Sequence, residues 1–169
     1  MLASVVLVFG FAGTASAISY TVDHDCFVHL GQNKWLGEVE SYSWTFNINE
    51  EGYDYTTQVV TSASVTLSLW ETDTDKWWEE YAELDLGTNS FSWEVDTGEI
   101  SFTLTSIIEL SETGIITATI TSDDGNFWLK GASLTAEATA PVPEPATMLL
   151  LGTGLLGIAG MSRKKMLSK

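Results

Sequence analysis

The sequence predicts an all-β domain, an antiparallel β-sandwich, between two terminal signals, and three observations support this fold class. Short segments of residues 18–140 alternate apolar and polar side chains with a period of two. Turn-forming Gly, Asn and Asp separate these segments, and no sustained helical period occurs among them. Because each such strand buries one face, two antiparallel sheets can enclose a common core. The 169-residue chain is expected to hold one domain once its two ends are removed.

The first alternating segment shows the pattern most fully. Tyr42, Trp44, Phe46 and Ile48 alternate with serine, threonine and asparagine, so one face is apolar and the other is polar. The apolar positions of the further predicted strands are Val65, Leu67 and Leu69; Ala82, Leu84 and Leu86; Phe91, Trp93 and Val95; Ile100, Phe102 and Leu104; Ile116, Ala118 and Ile120; and Phe127, Leu129, Ala132 and Leu134. About eight short strands of this kind are typical of a sandwich.

Glycine-containing segments predict where the chain turns. Gly87-Thr88-Asn89 and Asp124-Gly125 each separate two predicted strands. Asp96-Thr97-Gly98 predicts a hairpin loop, because glycine supplies the positive φ that such loops need. Residues 107–111 fit either a strand or a single helical turn.

Residues 1–17 have the features of a signal peptide. An apolar core runs from Leu2 to Ala12, and Ala15 and Ala17 form the small-x-small pattern that signal peptidase accepts, so we expect cleavage after Ala17. The segment has no basic residue before its apolar core, and we therefore expect the natural start to lie upstream. A single-span anchor is the alternative, but the apolar run is short for one.

Residues 141–169 form a second signal in three parts. Pro143, Glu144 and Pro145 predict an extended, accessible strip, because proline disfavours helix in itself and in the residue before it. The uncharged residues 146–161 predict a single transmembrane helix of about 24 Å, somewhat short of a hydrocarbon core of about 30 Å. The basic tail, residues 162–169, should stay cytoplasmic and leave the domain on the far side of the membrane.

The basic side chains that define this tail include Arg163, Lys164 and Lys165. In its order of Pro-Glu-Pro, a glycine-bearing apolar run and a basic end, the segment resembles the PEP-CTERM sorting signal of exported bacterial proteins. The resemblance implies recognition by an exosortase, a membrane-embedded cysteine protease, with cleavage near residues 143–145. It also implies a Gram-negative host that secretes exopolysaccharide, an inner-membrane intermediate, and a final place at the cell surface or in the extracellular matrix. A proline-containing linker before an ordinary membrane anchor is the alternative.

A looser resemblance concerns the domain itself. Ala63 opens a predicted strand, acidic residues occupy 71–75, and Phe127-Trp128-Leu129 leads to Ser133-Leu134. In this order of elements the chain is similar to the β-sandwich ectodomains that precede PEP-CTERM tails. That similarity implies a jelly-roll-like topology, and it transfers no functional residue.

The charge of the exported part restricts its partners. Residues 18–143 hold 22 acidic residues, the chain's 23 less Glu144, against the basic Lys34, Lys76 and Lys130, so the formal charge is about −19. Such a surface repels nucleic acid and anionic lipid head groups. Cations, neutral sugars or a basic partner remain, although solubility alone explains most of these carboxylates.

Two pairs of aspartates are candidate ligands for Ca²⁺. Asp73 and Asp75 alternate in an acidic loop, and Asp123 and Asp124 could add oxygen ligands if the two loops meet at one end of the sandwich. The loop lacks the glycine and glutamate that an EF-hand requires at its sixth and twelfth positions. Acidic turn residues in water are the simpler interpretation.

The tryptophans supply a candidate sugar site. Trp77 and Trp78, with Tyr81, follow the acidic loop and break the alternation, so at least one of the two indoles should face outward. Indole rings can stack on the C–H face of a sugar while carboxylates bind its hydroxyl groups. A place in the core, which we expect for Trp44 and Trp93, is the alternative.

Catalysis finds little support in the sequence. Cys26 is the only cysteine, which rules out an intramolecular disulfide, and we expect a partly buried thiol. His24 and His29 flank Cys26 on an expected edge segment, without the spacing of a hydrolase or a zinc site. Paired carboxylates arise by chance among so many acids, so they decide nothing. We therefore expect no enzymatic activity.

Together these features predict an exported structural or adhesive protein that works with exopolysaccharide in biofilm or floc formation. Exosortase and signal peptidase are its expected processing partners, and its C-terminal segment is the expected membrane contact. A carbohydrate- or Ca²⁺-binding module is the first alternative. A secreted glycoside hydrolase is the second.

Overall fold

The computed structural model describes residues 17–32, 36–71, 79–140 and 153–154. The chain divides into two units, Ala17–Ala140 and the residues on either side of it. The predicted processing sites at Ala15 and at residues 143–145, and the basic residues of the tail, lie outside the described residues. Of the predicted span, Thr153 and Gly154 are described, and both are helical. None of the described helices has the length and apolar character needed to cross a bilayer.

Within the described residues, the domain has eight strands, one 3₁₀ helix and one α-helix. The strands are β1 Ala17–Gly31, β2 Ser41–Asn47, β3 Val59–Glu71, β4 Tyr81–Leu86, β5 Asn89–Glu94, β6 Gly98–Thr103, β7 Ile115–Asp124 and β8 Asn126–Thr139. The 3₁₀ helix is Ile48–Glu51, between β2 and β3, and α1 is Ile108–Thr113, between β6 and β7.

The strands form two four-stranded sheets. The first sheet has the order β1-β8-β3-β6 and the second has the order β2-β7-β4-β5. All strand pairs are antiparallel, which confirms the predicted antiparallel sandwich. The chain crosses between the sheets at every connection except β4–β5, and this strand order is that of a jelly roll.

The core lies between the sheets and consists of the alternating apolar positions. Leu84 and Leu86 on β4 and Ile116 and Ile120 on β7 are buried, with their polar neighbours pointing away from the core. Trp44 is also buried, as predicted. Trp93 and several other aromatic side chains near the open edges are partly buried against the same core.

Two predictions about local structure were wrong. Asp96-Thr97-Gly98 does not close a hairpin, because β5 belongs to the second sheet and β6 pairs with β3 in the first. The chain crosses there so that both apolar faces reach the core, where the rings of Phe91 and Phe102 stack at 4.8 Å. Ile48 begins the 3₁₀ helix instead of extending β2, because the Asn47 side chain accepts a hydrogen bond from the backbone N–H of Asn49 and caps that helix.

The undecided segment at residues 107–111 is helical, since α1 begins at Ile108. Leu110 is the buried residue of this short helix, and Gly114 ends it with a positive φ of 71°. At the start of the domain, β1 is a 15-residue edge strand. The sequence predicted only an edge segment around Asp23-His24-Asp25.

An irregularity in β8 decides which residues face outward. Between β3 and β8, Ser68 pairs with Gly131 and Leu69 with Leu129, so Lys130 is an extra residue of β8. The register between β1 and β8 shifts at the same place. Such a bulge reverses the alternation. Phe127 and Leu129 therefore face the core on one side of it, as do Ala132, Leu134, Ala136 and Ala138 on the other.

A buried amide ties the β4–β5 turn to the segment after β6. The Asn89 side chain is buried; its Nδ2 donates to the carbonyl oxygens of Leu86 at 3.0 Å and Ser106 at 2.8 Å. Its Oδ1 accepts from the backbone N–H groups of Thr105 at 2.9 Å and Ser106 at 2.8 Å. One side chain thus satisfies backbone groups in two segments that are far apart in sequence.

Asn89→Ala should lower the free energy of unfolding by about 2–4 kcal/mol, because it leaves several backbone groups without partners. Urea unfolding followed by fluorescence measures this loss. Ser90→Ala is the control, because the Ser90 hydroxyl donates to an exposed carboxylate of Glu83. Its effect should stay within about 0.5 kcal/mol. An Asn89→Ala protein as stable as the wild type would show that the hydrogen bonds of Asn89 do not stabilise the fold.

Cys26 lies in β1 at the register shift and is half-buried, as expected. Its Sγ is 3.8 Å from the carbonyl oxygen of Leu129. Burial raises the pKa of the Cys26 thiol above its ordinary value, and the charge of Asp25 raises it further. Less thiolate is therefore present at neutral pH than on a free cysteine.

Alkylation by iodoacetamide should therefore be slower in the folded protein than in urea. The pH midpoint of the rate should also lie higher for the folded protein, because the folded thiol loses its proton later. Mass spectrometry of samples quenched at intervals measures both rates. Equal midpoints for the folded and unfolded protein would show that burial does not control this thiol.

Candidate functional site

Beyond the bulge, the outer face of the first sheet carries an aromatic cluster, defined here as Phe27, His29, Trp70 and Trp128. Trp128 on β8 pairs across the sheet with His29 on β1 and with Trp70 on β3. Because Leu69 on β3 and Phe127 on β8 face the core, the next residue of each strand, Trp70 or Trp128, faces outward. The sheet register alone thus brings the three side chains into one row.

Ring stacking joins Phe27 and His29 to Trp128 within the cluster. The centroid of the Trp128 ring is 4.3 Å from that of His29, with an angle of 2° between the planes. It is 4.5 Å from the Phe27 centroid, at 26°. The Nζ atom of Lys130 lies 4.8 Å from the centroid of Trp70, a cation–π contact. Phe27 and Trp70 nevertheless remain accessible, with 62% and 45% of their surface exposed.

A groove of about 530 Å³ runs beside the cluster. One wall is the end of β1 with Trp128, and the other is formed by residues 36–39. The lining residues are Phe27, Val28, His29, Leu36, Gly37, Val39 and Trp128. Leu36 is 65% exposed, so apolar surface faces solvent on both sides of the groove.

Backbone hydrogen bonds position the second wall. The N–H of Gly31 donates to the carbonyl oxygen of Val39, and the N–H of Val39 donates to that of His29, both at 3.0 Å. Beneath them lies the buried carboxylate of Glu38, whose Oε1 is 3.8 Å from His29 Nε2. A side chain at position 31 would collide with this carboxylate, so the glycine allows the loop to fold closely onto β1.

The groove suits a ligand that offers an apolar face, because rings and aliphatic side chains dominate its exposed surface. The C–H face of a sugar ring is such a surface, and aromatic side chains stack against it. His29 is poorly placed for proton transfer to a ligand. Its side chain is only 15% exposed, and its Nε2 faces Glu38.

Of the sugar site predicted from the sequence, Tyr81 is described. Trp77 and Trp78 fall outside the described residues. Tyr81 begins β4 in the second sheet, so it is not part of the aromatic cluster. Its hydroxyl donates to Oε2 of Glu79 at 2.7 Å, and this hydrogen bond and the carboxylate charge raise the pKa of Tyr81.

The predicted Ca²⁺ ligands are only partly described. Asp73 and Asp75 lie outside the described residues, whereas Asp123 and Asp124 are exposed at the end of β7. Tyr81 pairs with Asp124, so the start of β4 and the β7–β8 turn belong to the same end of the sandwich. In the described ranges, no three His, Cys, Asp or Glu side chains are grouped so that they could hold a metal ion. Oδ1 of Asp124 accepts the N–H of Gly125 and shapes the turn.

The two residues that flank Cys26 have packing contacts. The His24 ring stacks on Trp44 at 5.5 Å, and its Nε2 is 3.1 Å from the Tyr42 hydroxyl. These contacts join β1 to β2 across the open edge of the sandwich. His29 instead belongs to the aromatic cluster.

The sequence contains a signal for the cluster that our prediction missed. Leu67 and Leu69 face inward, so Trp70 is out of phase with them and must face solvent. Trp128 is likewise out of phase with its apolar neighbours Phe127 and Leu129, which face inward. Phe27 has no such signal, because its position depends on the register shift.

Comparisons with known proteins add the following. No curated protein matches the chain in sequence. In structure, the chain is similar to the decameric BFDV capsid protein, with 9% identity, 76% of this chain and 99% of that chain covered, and a TM-score of 0.49. It is also similar to a structure of mud crab tombus-like virus, with 6% identity, coverage of 90% and 92%, and a TM-score of 0.49. It is similar as well to dimeric latent PorU from Porphyromonas gingivalis, with 10% identity, 79% of this chain and 14% of that chain covered, and a TM-score of 0.47.

The end of the chain matches a family model. Residues 141–164 match the model of the PEP-CTERM protein-sorting motif, which confirms the resemblance read from Pro143, Glu144, Pro145 and the basic tail. This motif marks proteins that Gram-negative bacteria export and that an exosortase processes. The chain is therefore an exported, exosortase-sorted protein with a PEP-CTERM sorting motif at residues 141–164.

Proposed function

We propose that the exported domain is a structural or adhesive component of an exopolysaccharide matrix, in a biofilm or floc, and that it holds the polysaccharide through the aromatic cluster. The observation that carries the proposal is an exposed set of stacked rings beside an open apolar groove. The sorting motif sends this surface out of the cell. The protein passes through the inner membrane and ends at the cell surface or in the matrix.

The exposed rings and the negative charge favour a neutral sugar over anionic ligands. Phe27 and Trp70 keep exposed ring surface, although burying them in the core would have stabilised the fold. The formal charge of −16 for the whole chain opposes binding of anionic polymers and membranes. A neutral sugar is not repelled by this charge, and it can stack on the rings and form hydrogen bonds with polar neighbours.

The proposed role is binding without catalysis. A secreted glycoside hydrolase is the competing function, and it would need two accessible carboxylates across a cleft. None of the described residues that line the groove carries a carboxylate, and the side chain of the adjacent Glu38 is 1% exposed. Incubation of the protein with its host's polysaccharide, followed by a reducing-end assay, should release no sugar, whereas release would support the hydrolase.

Phe27→Ala and Trp70→Ala should each weaken binding to purified host exopolysaccharide about tenfold, because each removes an exposed stacking ring. Affinity electrophoresis of the exported protein measures the change. Tyr81→Ala is the control, as it removes an exposed ring from the other sheet. A thermal melt of each variant shows whether its fold is retained.

If Tyr81→Ala weakens binding and the two cluster variants do not, the site lies near the acidic loop and the cluster is not involved. Unchanged binding in all three variants would remove aromatic stacking from the proposal.

Sorting makes a separate prediction. In the native host, the mature protein should begin at Ile18 and lack the basic tail, as mass spectrometry can show. Replacing Pro143, Glu144 and Pro145 with alanine should leave the tail attached and hold the protein in the inner membrane. A tail-free mature form of that variant would show that another sequence directs cleavage.

A further inference from the structure

Farther along β8 from the aromatic cluster, toward residues 133 and 135, the same sheet face carries two rows of hydroxyl groups. Cross-strand pairing aligns the members of each row over β1, β8, β3 and β6. The row nearer the cluster is Ser133, Thr66 and Ser101, with Asp23 at its β1 end. The next row is Thr21, Thr135, Ser64 and Thr103. The face is therefore a grid of side chains that each donate and accept hydrogen bonds.

Strand geometry sets the dimensions of the grid. Neighbouring strands are about 4.8 Å apart, and rows two residues apart along a strand are separated by about 6.7 Å. The hydroxyls of Thr66 and Ser101 are in contact at 2.8 Å, so they point the same way from adjacent strands. The members on the outer strands, such as Thr21 and Thr103, are exposed, and those on β8 and β3 are half-buried.

Charge surrounds this grid, with Lys130 and Glu137 at its two ends on β8 and carboxylates on both edge strands. Asp23 and Asp25 lie on the edge strand β1, and Glu99 lies on the opposite edge strand β6. Between them, residues 131–135 of β8 and 64–68 of β3 carry no charge. An acidic domain thus presents an uncharged central strip, and Lys130, whose Nζ lies over Trp70, is the residue between that strip and the aromatic cluster.

We infer that the outer face of the first sheet is one continuous binding surface for a neutral polysaccharide, which runs along β8 and β3 from the aromatic cluster across both hydroxyl rows. This inference rests on the proposed function and names its ligand class. Rings take the C–H face of a sugar at one end, and serine and threonine hydroxyls match sugar hydroxyls along the strip. The carboxylates at the margins accept further hydrogen bonds and repel uronic acid or sulfate groups.

Other occupants fit this face less well. A second copy of the domain would bring a second large negative charge against the same margins. A basic protein would need carboxylates in the centre of its contact, where the strip has none.

The second sheet supplies an internal comparison. Its outer face also pairs hydroxyls, Ser41 with Thr121, Ser43 with Thr119 and Thr45 with Thr117. Ser43 and Thr119 are in contact at 2.8 Å, the same distance as Thr66 and Ser101. Within the described part of that sheet, no stacked aromatic cluster lies on the outer face. Thr66 and Thr119 are thus matched in residue type, burial and hydrogen bonding.

The test places one carboxylate on the outer face of each sheet. The full chain is expressed in an exosortase-bearing host, and the exported wild type, Thr66→Glu, Thr119→Glu and Phe27→Ala proteins are purified. The probes are size-graded neutral oligosaccharides from β-1,4-glucan, mannan and xylan, and polygalacturonate oligosaccharides as the anionic series. Isothermal titration measures affinity, and thermal melts confirm that the variants remain folded.

For the wild type, affinity should rise with the length of a neutral oligosaccharide beyond the span of the cluster, and the anionic series should bind at least about tenfold more weakly. Thr66→Glu should abolish the gain with length, while the affinity for the shortest oligosaccharides stays the same. Thr119→Glu should behave as the wild type does. Together these results would support the inference.

Loss of binding in Phe27→Ala with an unchanged length dependence in Thr66→Glu would overturn the inference and leave the proposed function intact. Equal effects of Thr66→Glu and Thr119→Glu, or a preference of the wild type for polygalacturonate, would also overturn the inference. If the wild type binds neither these probes nor host exopolysaccharide, the inference and the proposed function both fail.

Discussion

The structure depends on the position of β8 between β1 and β3. This strand forms two of the three ladders of its sheet, and its bulge at Lys130 sets the phase of the side chains on either side. Without the extra residue, either Phe127 and Leu129 or the alternate residues from Ala132 onward would face solvent. Burial of both sets requires the bulge, and the same bulge places Trp128 and Lys130 on the outer face. One backbone irregularity thus serves the core and the candidate site together.

The domain separates its charge from its candidate binding surface. Carboxylates are abundant in the loops and on the edge strands, and they keep the protein soluble outside the cell. Hydroxyl groups and rings occupy the middle of the first sheet's outer face. In the proposed matrix role, repulsion between the acidic domains would oppose self-association while neutral ligands could still approach the central strip. Serine and threonine hydroxyls also form hydrogen bonds with water, which keeps the strip hydrated when no ligand is present.

Alternation predicted the fold class because each strand's phase is a local property that the residues themselves carry. Sheet membership is not local: nothing in Asp96-Thr97-Gly98 distinguishes a hairpin from a crossing between sheets, so that prediction failed. The β1 strand was recognised only as an edge segment, since its inward residues, such as His24 and Cys26, are of mixed character. At the site, the outward direction of Trp70 could be read from its phase. The stacking of Phe27 could not, because it needs the register of two distant strands.

The pairing of the first strand with the last has a consequence for the timing of folding. Because β8 joins β1 to β3 and is the last of the eight strands in the chain, the first sheet cannot close until β8 is available for pairing. Contacts between such distant segments also make folding slow, on the order of milliseconds to seconds for all-β domains. In export that begins at the N-terminus, the first sheet would therefore stay incomplete until its final strand has crossed the membrane.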